Sequence, residues 1–228
     1  MADPADLASH WGSIVAAIGA LGTAACGLVD ATKTLPYGGV SNSGFKFIRK
    51  TFEALFGSDA IDRAPLSGDL ETLHGNWING RPMAEQQVIA KSLVKLRLTT
   101  ATAKALAGAT SIDGNQLEGL AKKLATGESM TPEESNMLGR FDLELTALID
   151  RAYQRADQCY RNRCKLFAMV FSVVLALIGA SALGFYYRDE NWWLCLLAGL
   201  LATPLAPMAK DLKSGLSTGV KLAKAIKQ

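Results

Sequence analysis

Polarity changes along this chain in long blocks rather than by alternation. Three stretches carry no charged residue, 7–29, 166–187 and 191–209, with 23, 22 and 19 residues respectively. Crossing ~30 Å of hydrocarbon takes about 20 residues of helix at ~1.5 Å each, and backbone groups in lipid must be satisfied within the segment. Each stretch therefore predicts a transmembrane helix, at 11–29, 166–187 and 192–208. That leaves a short external N-terminus at 1–10, an external hairpin at 188–191 and a cytoplasmic tail at 209–228. The 166–187 stretch is densest in Leu, Val, Phe and Ile, whereas 11–29 is rich in Ala and Gly. Pro204 and Pro207 should bend or end the third span, because proline removes a donor and kinks a helix. A cleaved signal peptide at the first stretch would need a basic start, and Asp3 and Asp6 are the only charges before it. Cys26 follows Ala24 and Ala25 as in a lipoprotein cleavage site, but Thr23 stands where a larger aliphatic residue is wanted. A retained helix is the expectation.

Between the first two spans, residues 30–165 show helical periodicity almost throughout and no sustained strand alternation. The expected fold class is an all-α integral membrane protein: three transmembrane helices plus a cytoplasmic helical domain inserted between the first and second spans. After a Gly-rich loop at 37–44, a helix should begin near Ser43, with Phe45, Ile48, Phe52, Leu55 and Phe56 on one face. That face suits an interfacial helix on the membrane or a domain core. Residues 66–78 predict a short helix interrupted at Gly75. Pro82 should start a long helix with a stripe of Ile89, Leu93, Leu96, Thr100, Ala103 and Ala107. A further helix is expected over 113–126. Thr131-Pro132-Glu133-Glu134 is the best local signal: Thr131 can cap, Pro132 fits the first turn, and Glu134 completes a capping box. No proline follows until after Tyr187, which predicts one nearly continuous helix over 132–187 with Gly139 as its weak point. Leu138, Phe141, Leu145, Leu148 and Ala152 form a coiled-coil-type stripe on it. The stripe would zip protomers into a stalk or, as the favoured reading, pack against the Pro82 helix of the same chain.

Charge orients these elements. Lys and Arg total 24 against 21 acidic residues, a net charge of +3, yet only Arg188 falls outside the central region and the tail. An excess of Lys and Arg marks the cytoplasmic side, so the N-terminus should lie outside and the C-terminus inside. Trp11, Tyr186, Tyr187, Trp192 and Trp193 then mark the outer interface, where amphipathic rings prefer to sit. Sorted this way, the outside carries −3 and the inside +6. Lys46, Arg49 and Lys50 are candidate inner-leaflet contacts, as are Lys213, Lys221, Lys224 and Lys227. In the tail, Leu212, Leu216, Val220, Ala223 and Ile226 cluster opposite the lysines, and each basic residue near an anionic leaflet contributes about 1 kcal/mol. The expected location is the cytoplasmic membrane, of bacterial type.

The chemistry of an enzyme is missing from the sequence. There is no nucleophile elbow, dinucleotide fingerprint or paired-carboxylate motif. The loop at 37–44 lacks the P-loop pattern, and Asp113-Gly114-Asn115 lacks the spacing of a calcium loop. His74 stands alone, and Cys159 and Cys164 are five apart, poorly placed to share a helical face. Catalytic, cofactor-binding and metal residues are therefore expected to be none. The basic residues lack the aromatic interleaving of a nucleic-acid surface, so no nucleic-acid partner is expected. No charge lies inside any span, which argues against a pump but not against a pore.

Small residues in the spans repeat every four positions: Gly12, Ala16, Ala20 and Ala24; Gly19, Thr23 and Gly27; Ser172, Ala176, Ala180 and Gly184. Such faces let helices approach closely, within one chain or between copies. The expected function is a non-enzymatic, self-associating membrane protein, a channel-like assembly or a scaffold. The runner-up is an accessory or adaptor subunit whose helical domain recruits a cytoplasmic protein. The expected partners are membrane lipid, further copies of the chain and, in the second reading, that cytoplasmic protein.

Overall fold

The computed structural model describes residues 4–182 and 193–204, with side chains described for most of these. Among them every regular element is helical and no strand occurs. In chain order the helices are α1 Pro4–Ala31, α2 Asn42–Phe56, α3 Leu66–Ile78, α4 Met83–Leu96, α5 Ala103–Gly108, α6 Gly114–Thr126, α7 Pro132–Ala182 and α8 Trp193–Pro204. Two short 3-10 turns, Thr32–Thr34 and Pro36–Ser41, lie between α1 and α2. The chain divides into two compact units, one of Tyr37–Tyr160 and one of Met1–Pro36 with Arg161–Gln228.

The Tyr37–Tyr160 unit closes around one apolar core. Phe45, Ile48, Phe52, Leu55 and Phe56 of α2 are all buried in it, beside Leu66, Leu70 and Leu73 of α3. This corrects the interfacial reading of α2: its aromatic face is committed to the core and is not available to a bilayer. Fully burying a Leu, Ile or Phe side chain contributes about 1.5–3 kcal/mol. α3 also departs from expectation, running through Gly75 without a break. Its last turn is held by Trp77, whose indole Nε1 donates to Ser41 O at 2.9 Å.

The long helix expected from Pro82 is in fact two. α4 stops at Leu96, and α5 begins at Ala103. Arg97, immediately after α4, is held by Asp69 of α3 through Nε–Oδ2 at 3.0 Å and Nη2–Oδ1 at 3.2 Å. The Thr102 hydroxyl donates to Arg97 O and accepts from Thr99 N at 3.0 Å, satisfying backbone groups that a continuing helix would have used. Buried positions on α4 are Gln86, Ala90 and Val94, while Leu96 of the expected stripe is exposed. Of the buried Gln86 amide, Nε2 donates to Arg81 O at 2.6 Å, whereas Oε1 has no partner among the described residues.

α6 starts on Asp113, whose carboxylate accepts from Asn115 N and Gln116 N at 3.0 and 3.1 Å. It ends on Gly127 at φ 71°, a left-handed conformation that an L side chain would strain. α7 begins with the capping box read from the sequence. Thr131 N donates to Glu134 Oε2 at 2.8 Å, and Glu134 N donates to Thr131 Oγ1 at 3.3 Å. The helix is 51 residues long and passes through Gly139 without interruption. Positions 183–187 of the expected span lie outside the described residues.

The stalk stripe resolves in favour of packing within the chain. Phe141, Leu145 and Ala152 are buried and Leu138 and Leu148 half-buried, with Ile149, Tyr153 and Ala156 continuing the face. Lys95 of α4 pairs with Asp142 of α7 beside it. The protomer-zipping alternative is therefore corrected: this face is already occupied by the unit's own core.

In the other unit, α1 buries Gly19, Gly22, Ala25 and Val29, a stripe stepping by three and four. One helix, α7, is long and apolar enough to cross a membrane; its most apolar 18-residue window has mean hydropathy 1.6 and is 11% buried. The other apolar helical segments, Ala16–Ala31 and Trp193–Pro204, are shorter among the described residues. The all-α class thus holds, with one helix of spanning length among the described residues where the sequence predicted three.

Candidate functional site

α7 and α8 meet through close packing and a hydrogen bond. Ser172 Oγ lies 2.7 Å from Gly199 O of α8 and 2.9 Å from Met169 O of its own helix, and its proton serves these acceptors. Thr203 Oγ1 lies 3.4 Å away. A Cβ on Gly199 would stand 2.6 Å from Val173 Cα, so only glycine allows this approach. Interhelical hydrogen bonds of this kind contribute about 0.6 kcal/mol on average. Ala168 and Ser172 are buried on this side of α7, and Ala176 is half-buried. The α8 half of the contact escaped the sequence reading, although Cys195, Gly199 and Thr203 have the same four-residue spacing that singled out Ser172 and Ala176.

The small-residue faces assigned to α1 mostly point elsewhere. Gly19 is buried, but Ala16, Ala20, Thr23, Ala24 and Gly27 are exposed. The Thr23 hydroxyl turns back to Gly19 O at 2.9 Å. The four-residue period of small residues identified a smooth surface and not the buried one. Gly12, Ala180 and Gly184 lie outside the residues whose side chains are described, as do Lys213, Lys221, Lys224 and Lys227.

The Tyr37–Tyr160 unit carries two clefts of ligand size. The larger, about 650 Å³ between α6 and α7, has Ile112 and Met137 in its floor. Its polar groups largely satisfy one another. Lys123 pairs with Glu134 at 2.7 Å, and Glu144 accepts from Ser111 N at 2.6 Å and from the Ser111 hydroxyl. These donors hold the Glu134 and Glu144 carboxyls below the usual carboxylate range: the Lys123 ammonium leads for Glu134, the Ser111 hydroxyl for Glu144.

The smaller cleft, about 400 Å³, lies between α2 and α3. Asn42, Lys46 and Arg49 line one wall at helical steps of four and three. Ser67, Glu71 and His74 line the other at the same steps, over a floor of Phe45, Ile61 and Leu70. Arg49 is engaged locally by Asp62 at 2.8 Å and Glu53 at 3.2 Å. Lys46 forms no ion pair among the described residues and sits 5.1 Å from the Phe47 ring centroid. Two of the three described leaflet candidates, Lys46 and Arg49, thus line a cleft of the helical unit, and Lys50 is exposed.

His74 packs 4.6 Å from the Phe45 ring, and its Nε2 is buried without a hydrogen-bond partner. Desolvation lowers its pKa. The Tyr153 hydroxyl is likewise buried without a partner, and burial pushes its pKa up. Trp77 stands 6.4 Å from Tyr153 and 6.1 Å from Tyr160. No group of His, Cys, Asp and Glu among the described residues could hold a metal ion, and the four cysteines form no disulfide. Neither a protein-family model, a curated protein nor a solved structure matches the chain, so a functional reading rests on its own residues.

Proposed function

We propose that this chain is a non-enzymatic, self-associating integral membrane protein that acts as a scaffold or a channel-like assembly. In this reading three segments span the bilayer, the Tyr37–Tyr160 unit is cytoplasmic, and the N-terminus lies outside. The supporting observation is the outward aspect of the apolar helices. Leu166, Val170, Val174 and Ile178 of α7, with Leu194, Leu197 and Leu201 of α8, are all exposed, an arrangement that water would penalise and lipid would not. The exposed Ala16, Ala20, Thr23, Ala24 and Gly27 of α1 offer a smooth surface to a second copy. Native mass in mild detergent tests the assembly: a strict monomer at every concentration overturns it. Conductance in planar bilayers separates channel from scaffold. In a variant lacking the native cysteines, Asp189→Cys should label from outside and Glu128→Cys only after permeabilisation; the reverse pattern overturns the threading.

A second reading, an adaptor that recruits a cytoplasmic protein, is favoured by Val88 and Leu143, large apolar residues exposed on α4 and α7 of the helical unit. Stoichiometric co-purification of a foreign protein, lost in a Leu143→Lys variant, distinguishes it from self-assembly.

A further inference from the structure

The cleft between α2 and α3 places two uncompensated charges of opposite sign on facing walls. Lys46 of α2 has an aromatic neighbour but no counter-ion, and Glu71 of α3 has neither hydrogen bond nor ion pair among the described residues. They line the same cleft without closing on each other as a salt bridge, although both chains are long and flexible. The walls continue the asymmetry. Asn42 extends a donor beside Lys46, Arg49 is neutralised by Asp62 of the same cleft, and the Ser67 hydroxyl can accept beside Glu71. The floor of Phe45, Ile61 and Leu70 is apolar. The Lys123–Glu134 pair at the larger cleft shows the contrast, since there the charges neutralise each other.

We propose that the α2–α3 cleft binds a small zwitterion carrying a primary ammonium and a phosphate, the chemistry of aminoethyl phosphate. The phosphate lies against Lys46 and Asn42, where several acceptor oxygens meet several donors, and the ammonium lies against Glu71 and Ser67. A cleft of about 400 Å³ accommodates this group whether it arrives free or as the headgroup of a lipid. The site belongs to the helical unit alone and does not depend on how the apolar helices assemble.

The protein in detergent is titrated with ethanolamine phosphate by isothermal calorimetry, with inorganic phosphate alone and ethanolamine alone as comparisons. A second arm uses nanodiscs containing phosphatidylethanolamine against nanodiscs of phosphatidylcholine, whose ammonium donates no hydrogen bond. Saturable binding of the free ester, of the ethanolamine lipid, or of both is expected, and the arm that responds identifies the source. Lys46→Gln and Glu71→Gln should each weaken that binding about tenfold or more, because each removes one charge-assisted contact. Both side chains lie on exposed surface, and circular dichroism confirms that each variant is folded. The charge-exchanged double variant, Lys46→Glu with Glu71→Lys, should recover part of the loss. Absence of saturable binding in both arms, or binding unchanged in both single variants, overturns the site.

Discussion

α7 obeys the same four-residue period in both halves and uses it in opposite senses. Phe141, Leu145, Ile149 and Tyr153 step by four and are at most 1% exposed; Leu166, Val170, Val174 and Ile178 also step by four and are 45–59% exposed. In the first half the large side chains point inward. In the second, the inward positions are Ala168 and Ser172, and the large side chains point out. In the membrane reading proposed above, a different force holds each half: water drives large apolar groups together, whereas lipid leaves close approach of small residues and hydrogen bonding as the source of cohesion.

The sharpest way to break this comparison is to truncate the same chemistry on both sides of it. Leu145→Ala should destabilise the helical unit by about 2–5 kcal/mol in chemical denaturation, whereas Leu166→Ala should stay within about 0.5 kcal/mol. Equal losses would mean that both halves share one environment. Next in size is Gly199→Leu, whose side chain meets the α7 backbone at Val173. A loss of about 1–3 kcal/mol in detergent unfolding is expected, with Ser172→Ala following at about 0.6 kcal/mol. Thr131→Ala removes one side of the capping box and should cost about 1 kcal/mol, read in the same denaturation experiment.

The smallest effect is a pH dependence confined to the helical unit. Burial lowers the His74 pKa below its ordinary value of 6.5, so the unfolded chain takes up the proton first as pH falls. The His74 contribution is therefore fully present above pH 6.5 and lost as pH falls from there through the folded pKa. Melting curves at pH 7.5 and 5.0 should show a smaller acid shift in His74→Gln than in the parent protein.

The features legible in the sequence were those specified by near neighbours. The Thr131–Glu134 box, the start of α2 near Ser43 and the helix over 66–78 depend on residues within a turn or two of one another. The split between α4 and α5 was not legible, because Arg97 is fixed by an aspartate 28 positions earlier, and no local periodicity records that partner. The buried stripe of α1 was not legible for a related reason. Spacing of Ala and Gly marks where a helix can be approached, and only the neighbour decides which of several smooth faces is used. At the α2–α3 cleft, Lys46 and Arg49 stood out as charges, but their opposition to Glu71 needed the packing of two helices. The Gly199 contact could have been found by the spacing rule already applied to Ser172.

The meeting of α2 with α7 has a consequence in time. Cys159 Sγ approaches Ser43 O at 3.6 Å across 116 residues of sequence, and a Cβ on Gly44 would collide with Ala156 O at 2.6 Å. A ribosome adding about 5–20 residues per second delivers that stretch of α7 roughly 6–23 s after α2. During that interval Ser43 and Gly44 have emerged without the helix they pack against. Synthesis of this protein therefore includes a period of several seconds in which the first turn of α2 waits for its α7 partner.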